Sequence, residues 1–235
     1  MKTQTMLRRL KLDARALERI KNAIGKAETK TNGEIAVALT AESGAYAFWE
    51  LFIAVMVSAL LFALLLTFSI PVEKLLGDIF WDLKSWRISA FFGMSIFASI
   101  ALVYAISNIP AIDRIIVPKK EMTQTVFNRA VRHFFDARVY NTKDHSGVLI
   151  FVSYMEQKVF IIADIGISEK ISGSLWNIIA DSLAAEIGKK GNTEAAFIDA
   201  IEKCGELLAQ YFPAKNENPN ELSDAVVVLE KNHDV

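Results

Sequence analysis

The sequence predicts an α/β protein: a mixed sheet sandwiched between helices and interrupted by a two-helix transmembrane hairpin. Three observations carry this expectation. Two long uncharged apolar runs lie between residues 49 and 110. Two short runs rich in Val, Ile and Phe, "GVLIFVS" and "KVFIIAD", are joined only by "YMEQ". Amphipathic helical patterns flank these strands on both sides.

The elements follow in order. Within residues 12–30, Leu12, Ala16, Leu17, Ile20, Ala23, Ile24 and Ala27 share one face of a helix, with Asp13 available as its cap. The "TNG" turn then leads into a strand, "EIAVAL". From Leu51 to Ile70 runs "LFIAVMVSALLFALLLTFSI", and from Ser89 to Ile112 runs "SAFFGMSIFASIALVYAISNIPAI", neither with a charge. A hydrocarbon layer about 30 Å thick takes about 20 helical residues, and one central Lys or Asp would cost roughly 3 kcal/mol on insertion. Both runs therefore read as spans, at about 49–70 and 89–110. Gly93, Ser95, Ala98 and Ser99 are small enough to let the two helices approach closely.

The connector, residues 71–88, is short. Leu75, Leu76, Ile79, Phe80 and Leu83 fall on one helical face, Lys74, Asp78 and Asp82 on another, and Trp81 and Trp86 suit a headgroup layer. It reads as an interfacial turn, so both chain ends are expected on one side. Lys26, Lys30, Arg114, Lys119, Lys120 and Arg129 flank the spans. That bias predicts cytoplasmic termini in a cell (inner) membrane.

After the hairpin, Met122, Val126, Ala130, Val131 and Phe134 mark a second amphipathic helix. "GVLIFVS" and "KVFIIAD" form an antiparallel pair, because a four-residue join permits nothing else. Ile171, Leu175, Ile178, Ile179, Leu183 and Ile187 line a helix stopped at Gly188. Phe197, Ile201, Cys204, Leu208 and Tyr211 line another, opening after Asn192 and ended by Pro213. The polar loop "AKNENPNELSD" leads to a last strand, "AVVVL". Residues 1–45 supply one helix and one strand, too little to stand alone. They are expected to join residues 113–235 in one discontinuous domain, with residues 46–112 as the hairpin.

Composition narrows the function. The chain has 235 residues and a net charge of −1, which supplies no broad pull toward nucleic acid. Cys204 is the one cysteine and sits in a core pattern, so no internal disulfide is expected. The opening "MKTQTMLRRLKLDARALERI" lacks the apolar centre of a secretory signal and is expected to be retained. A mean hydropathy of +0.28 is concentrated in the two spans. The expected partners are a lipid bilayer and another membrane protein.

The set of quoted stretches "AIGKAETKTNGEIAVAL" at 23–39, "YNTKDHSGVLIFVSYMEQKVFIIADIGI" at 140–167, the two helices that follow, and "NELSDAVVVL" at 220–229 resembles the TPM domain family. That family takes its name from a thylakoid lumen protein, a photosystem II repair protein and a modulator of acetylcholine receptors. The inserted hairpin departs from better-studied members and looks like a bacterial membrane-anchored subgroup. The resemblance implies a TPM-like α/β fold and a non-enzymatic factor that binds membrane proteins in their assembly or repair. It also implies an alternative, because some lumenal members are described as acid phosphatases and some as binding calcium in acidic loops.

The motif search is thin. No phosphate loop, no G-x-S-x-G elbow and no zinc spacing occurs; "GNTEAAF" lacks a lysine, and His133, His145 and His233 lie far apart. His133 reads as a helix-edge residue beside Phe134 and Phe135, whereas His145 lies in the loop before a strand. Ser58, Thr67, Ser95, Ser99, Ser107 and Asn108 are the few polar groups in the spans, all uncharged, which argues against a transport path. Carboxylates at strand ends are the one group that can converge: Asp164 after a strand, Glu34 opening another, Asp144 before a third, and Glu169 expected to begin a helix. Such a rim suits Ca²⁺ or Mg²⁺, and equally suits solvated strand ends and helix caps. Asp164, Glu34 and Glu169 are the candidate metal residues, also on the family resemblance, of a metal-assisted phosphatase; the catalytic residues are unassigned. Ser168 reads as a helix cap, and "KVFIIADIGI" as a central strand ending at Asp164.

Overall fold

The computed structural model describes residues 3–79, 85–107, 109–189, 191–214 and 220–230. In chain order it contains α1 (Thr3–Leu10), α2 (Ala14–Glu28), β1 (Glu34–Thr40), α3 (Ala47–Thr67), α4 (Ser69–Ile79), α5 (Ser85–Ser107) and α6 (Pro110–Ile116). There follow α7 (Lys119–Asp136), β2 (Gly147–Ser153), β3 (Lys158–Ala163), α8 (Ile165–Ser168), α9 (Gly173–Gly188), α10 (Thr193–Tyr211) and β4 (Val227–Leu229). The chain divides into two compact units, Met1–Gly44 with Lys120–Val235, and Ala45–Lys119.

In the first unit one mixed sheet of described residues has the order β3-β2-β1-β4. β1 lies parallel to β2 from Glu34↔Gly147 to Thr40↔Ser153, and parallel to β4 on its other side. β2 and β3 are the expected antiparallel pair. Alternation sends the strand side chains to two faces. Ile35, Val37, Leu39, Val148, Ile150 and Val152 pack with α2, α9 and α10, while Ala38, Leu149 and Phe151 pack with Val126, Ala130 and Phe134 of α7. The sheet is thus covered on both sides, as the unbroken apolar runs predict.

The helix caps follow from local chemistry. The Asp13 carboxylate accepts the Ala16 N–H at 2.7 Å, and Asn192 Oδ1 accepts that of Ala195 at 3.2 Å, each satisfying an orphan donor of the first turn. Cys204 is fully buried in the core, and burial pushes its thiol up to about 12.

Several expectations change. β3 is an edge strand, not a central one, because its far side carries no further strand among the described residues. Ser168 does not cap a helix; it ends α8, which Asp164 caps, and Ser172 caps α9. Glu169 closes α8 and does not open a helix. The buried stripe of α9 is Trp176, Ile179, Ala180, Leu183 and Ile187, whereas Ile178 is 65% exposed. Ile171 is buried as expected but precedes α9, and Trp176 takes the inward place expected of Leu175. Tyr211 is exposed at the end of α10. α1, a short helix that buries Met6 and Leu10, carries too few apolar positions to show in the pattern.

In the second unit α3 and α5 pack side by side, with Phe62 and Phe92 meeting edge to face at 6.4 Å. Their most apolar windows have mean hydropathies of 2.4 and 1.9, and only 17% and 0% of those windows are buried. Both helices are long and apolar enough to cross a membrane. Three of their hydroxyls bond within their own helix: Thr67 donates to the Ala63 carbonyl, Ser95 to Phe92 and Ser99 to Ile96. α4 continues as helix from Ser69, so the connector begins within a helix; Phe80, Trp81, Asp82 and Leu83 of its expected faces lie outside the described residues, as do Asn108 and His233.

At Gly147 the chain leaving α7 crosses β2 so closely that an added Cβ would stand 2.0 Å from the Val139 carbonyl oxygen. Gly147→Ala is therefore expected to cost about 3 kcal/mol, because backbone must move. Gly173→Ala, with nothing within 4 Å of its Cβ position, is expected to change stability by less than about 0.5 kcal/mol. Thermal unfolding of both full-length variants in detergent checks the pair.

Candidate functional site

The antiparallel course of β3 decides where the acids gather. Its carboxyl end lies beside the amino ends of β1 and β2, so Asp164, Glu34 and Asp144 share one rim. The Asp164 N–H bonds the Gly147 carbonyl at 2.9 Å, and Glu34 is the register partner of Gly147. Asp164 and Glu34 are nevertheless two strand spacings apart, about 10 Å. Asp164 Oδ1 accepts the Ile165 N–H at 2.7 Å, and Oδ2 faces His145 Nδ1 at 3.3 Å. His145 itself is largely exposed and sits at φ +50°. Asn32 donates to the Asp144 carboxylate.

Glu34 is buried, and its carboxylate accepts the Leu222 N–H at 3.2 Å. Nearby Glu28, also buried, accepts the Ile35 N–H at 2.8 Å. Burial raises both carboxyls and lifts Glu28 to about 8, with Glu34 and Asp224 adding to the rise at Glu28, and Glu221 and Asp224 to that at Glu34. Glu169 stands apart at the end of α8. Among the described residues no three His, Cys, Asp or Glu side chains are placed to hold a metal ion. Asp164, Glu34 and Glu169 are not gathered into such a group.

The opposite rim receives the carboxyl ends of the three parallel strands, where ligands gather in open α/β sheets. No sequence motif announces what this rim holds. Beyond β1 and β2 the ladder continues, with Tyr154 N–H on the Thr40 carbonyl and Met155 N–H on Ala41, both at 3.0 Å. This sets the β2–β3 turn against residues 41–43. The Ser43 N–H donates to Glu156 Oε1 at 2.8 Å, Ser43 Oγ donates to Ser153 Oγ at 2.7 Å, and Ser153 donates on to Glu156 Oε2. All three side chains are buried.

Across the same rim lies Arg129, buried within α7. Its Nη1 donates to the Glu42 carbonyl and its Nη2 to the Glu230 carbonyl, tying the end of β1 to the end of β4. Burial pulls Arg129 below the usual arginine range, against the favourable pull of Glu156 and Glu42. Arg129 thus belongs to the domain interior and adds nothing to the flanking charge of the spans. A basic residue adjoining the apolar stripe Met122, Val126, Ala130 and Phe134 was the one available signal. His133, one turn further, is half-buried with its ring 6.3 Å from that of Phe151, and burial lowers it below the usual histidine value. Arg129, Arg132, His133 and Asp136 of α7, with Leu229 of β4, line an open cleft of about 270 Å³.

Comparison with known proteins agrees with the fold. The model of the TPM domain matches residues 112–207, from α6 into α10. The resemblance read from the sequence is thus supported over these elements. The NMR structure of BA42 protein from the psychrophilic bacterium Bizionia argentinensis is similar in fold, with a TM-score of 0.54 and 21% identity over 92% of this chain and 94% of that one. No curated protein matches the chain.

Two outcomes follow from the rims. Folded Glu28 keeps its proton to about pH 8, whereas an unfolded chain releases it near 4.5. Between these values the unfolded state binds fewer protons, so stability falls as pH rises from about 5 to 8, and stays lower above. The expected loss is about 2–4 kcal/mol, at 1.4 kcal/mol per unit before screening. Glu28→Gln, which still accepts the Ile35 N–H, should flatten this slope in urea titrations at pH 5 and pH 8. Arg129→Met should cost about 2–4 kcal/mol by orphaning two carbonyls and leaving Glu156 without its nearby positive charge. It should also speed amide exchange across Val227–Leu229.

Proposed function

We propose that this chain, which carries a TPM domain, is a multi-pass protein of the cell membrane that holds its α/β domain at the cytoplasmic surface to bind a membrane-protein partner. In this reading the bound partner is being assembled or repaired. The observation that carries the reading is the contrast within α3 and α5. They are the most apolar helices described, yet their outward side chains, such as Leu60, Met94, Phe97 and Leu102, are more than 60% exposed. Water would not tolerate such a surface, and hydrocarbon covers it without cost. The even number of passes lets β1, before the apolar helices, share a sheet with β2 after them. The flanking Lys26, Lys30, Arg114, Lys119 and Lys120 support cytoplasmic ends.

The expected outcome is retention of the chain in the membrane pellet through an alkaline carbonate wash. Leu60→Arg combined with Ala98→Arg should release it, since each charge at mid-span costs roughly 3 kcal/mol. Reporters fused at Met1 and Val235 should both label from the cytoplasmic side. Cross-linking in intact cells followed by detergent purification should recover a defined membrane protein. Hydrolysis of a phosphomonoester, lost in Asp164→Asn at unchanged melting temperature, would replace partner binding by catalysis at the acidic rim.

A further inference from the structure

We propose that the cleft between α7 and β4 binds a phosphate-type oxyanion, with Arg132 and His133 as direct contacts and Arg129 as a fixed positive charge behind them. This site is on the opposite rim from the acids and does not rest on membrane anchoring.

Position comes first. Arg129, Arg132, His133 and Asp136 stand at spacings of three, four and seven, so one helical face presents all four to one opening. At Arg129 the opening reaches the carboxyl ends of β1 and β4, through Glu42 and Glu230, the end where open α/β sheets place ligands. A volume of about 270 Å³ admits a phosphate group with a small organic substituent, and Leu229 offers that substituent an apolar wall.

Charge comes second. Three basic groups crowd one small space. Burial disfavours the charge on both Arg129 and His133; Glu156 and Glu42 favour that on Arg129 and Asp136 that on His133, while Arg132 repels Arg129 and Arg129 repels His133. A bound anion would relieve that repulsion. Arg129 cannot swing away, because its guanidinium is pinned by the carbonyls of Glu42 and Glu230. Both of those acceptors are neutral carbonyls, so Arg129 keeps its positive charge beside the cleft, offset in part by Glu156 and Glu42. Arg132 is exposed and free to offer the planar fork that suits phosphate oxygens.

Asp136 gives the site a preference. Beside an anion its carboxylate is unfavourable unless the ligand brings a hydrogen to donate. A protonated phosphate or the hydroxyl of an organic phosphate supplies one; sulfate does not. The site should therefore take phosphate over sulfate.

The test uses the full-length chain in neutral detergent, titrated with inorganic phosphate, sulfate and glycerol 3-phosphate while the His133 ring is followed by NMR. Phosphate should bind in the millimolar range or tighter and raise the pH at which His133 protonates. Arg132→Gln should weaken binding about tenfold or more at unchanged melting temperature, and Asp136→Asn should narrow the preference for phosphate over sulfate. A parallel arm places the chain in phosphatidylcholine nanodiscs with or without phosphatidate. A His133 shift with phosphatidate alone assigns the phosphate to a lipid headgroup, and a shift with glycerol 3-phosphate assigns it to a soluble ligand; either supports the site. No His133 shift at roughly 20 mM of any phosphate, or equal binding by Arg132→Gln, would overturn it.

Discussion

The parallel pairing of β1 with β2 is the constraint on which the rest depends. Seven residue pairs, from Glu34↔Gly147 to Thr40↔Ser153, join a strand that precedes the apolar helices to one that follows them. Without β1, β4 has no neighbour, and α2 loses the strand against which Ile20 and Ile24 are buried. β2 would remain with β3 alone, and a two-stranded ribbon is marginal in water. The pairing also fixes both rims. Its amino end brings Glu34 beside the Gly147 turn, and its carboxyl end sets Glu42 and Ser43 against the turn that carries Glu156.

The two rims handle buried polarity by different means. At the acidic rim, Glu28 and Glu34 accept backbone N–H groups, and burial favours their neutral forms. At the other rim the buried charge is a guanidinium, which cannot discharge and must be solvated by carbonyls. The acids thus hold β1 and the segment before β4 through backbone N–H groups, while the guanidinium ties the ends of β1 and β4 through carbonyls.

What the sequence made legible was whatever rests on periodicity and local capping. Asp13 and Asn192 cap their helices, the "YMEQ" join makes a hairpin, and Cys204 is core, because each depends on neighbours a few residues away. Asp164, Glu34 and Asp144 lie along one rim, as their places at strand ends imply, though Asp164 and Glu34 are separated by β2. The edge position of β3 was hidden, since a strand covered by α9 on one face and α7 on the other reads as continuously apolar whether or not a further strand adjoins it. Ile178 was assigned inward because helical spacing defines a stripe only to within one residue. The Arg129 and Glu156 networks escaped altogether. Their partners are largely backbone carbonyls and amides, which every residue possesses, so no side-chain pattern announces them.

The separation of β1 from β2 along the chain also orders events during synthesis. At roughly 5–20 residues per second, β1 leaves the ribosome about ten seconds before its partner exists. In that interval two helices of high hydropathy must find their own surroundings. The sheet can close only once they have, so the folded state of the α/β domain is a record that the earlier step succeeded. A chain whose helices went astray would display an orphaned strand of seven residues, which is the kind of signal by which proteases recognise failure.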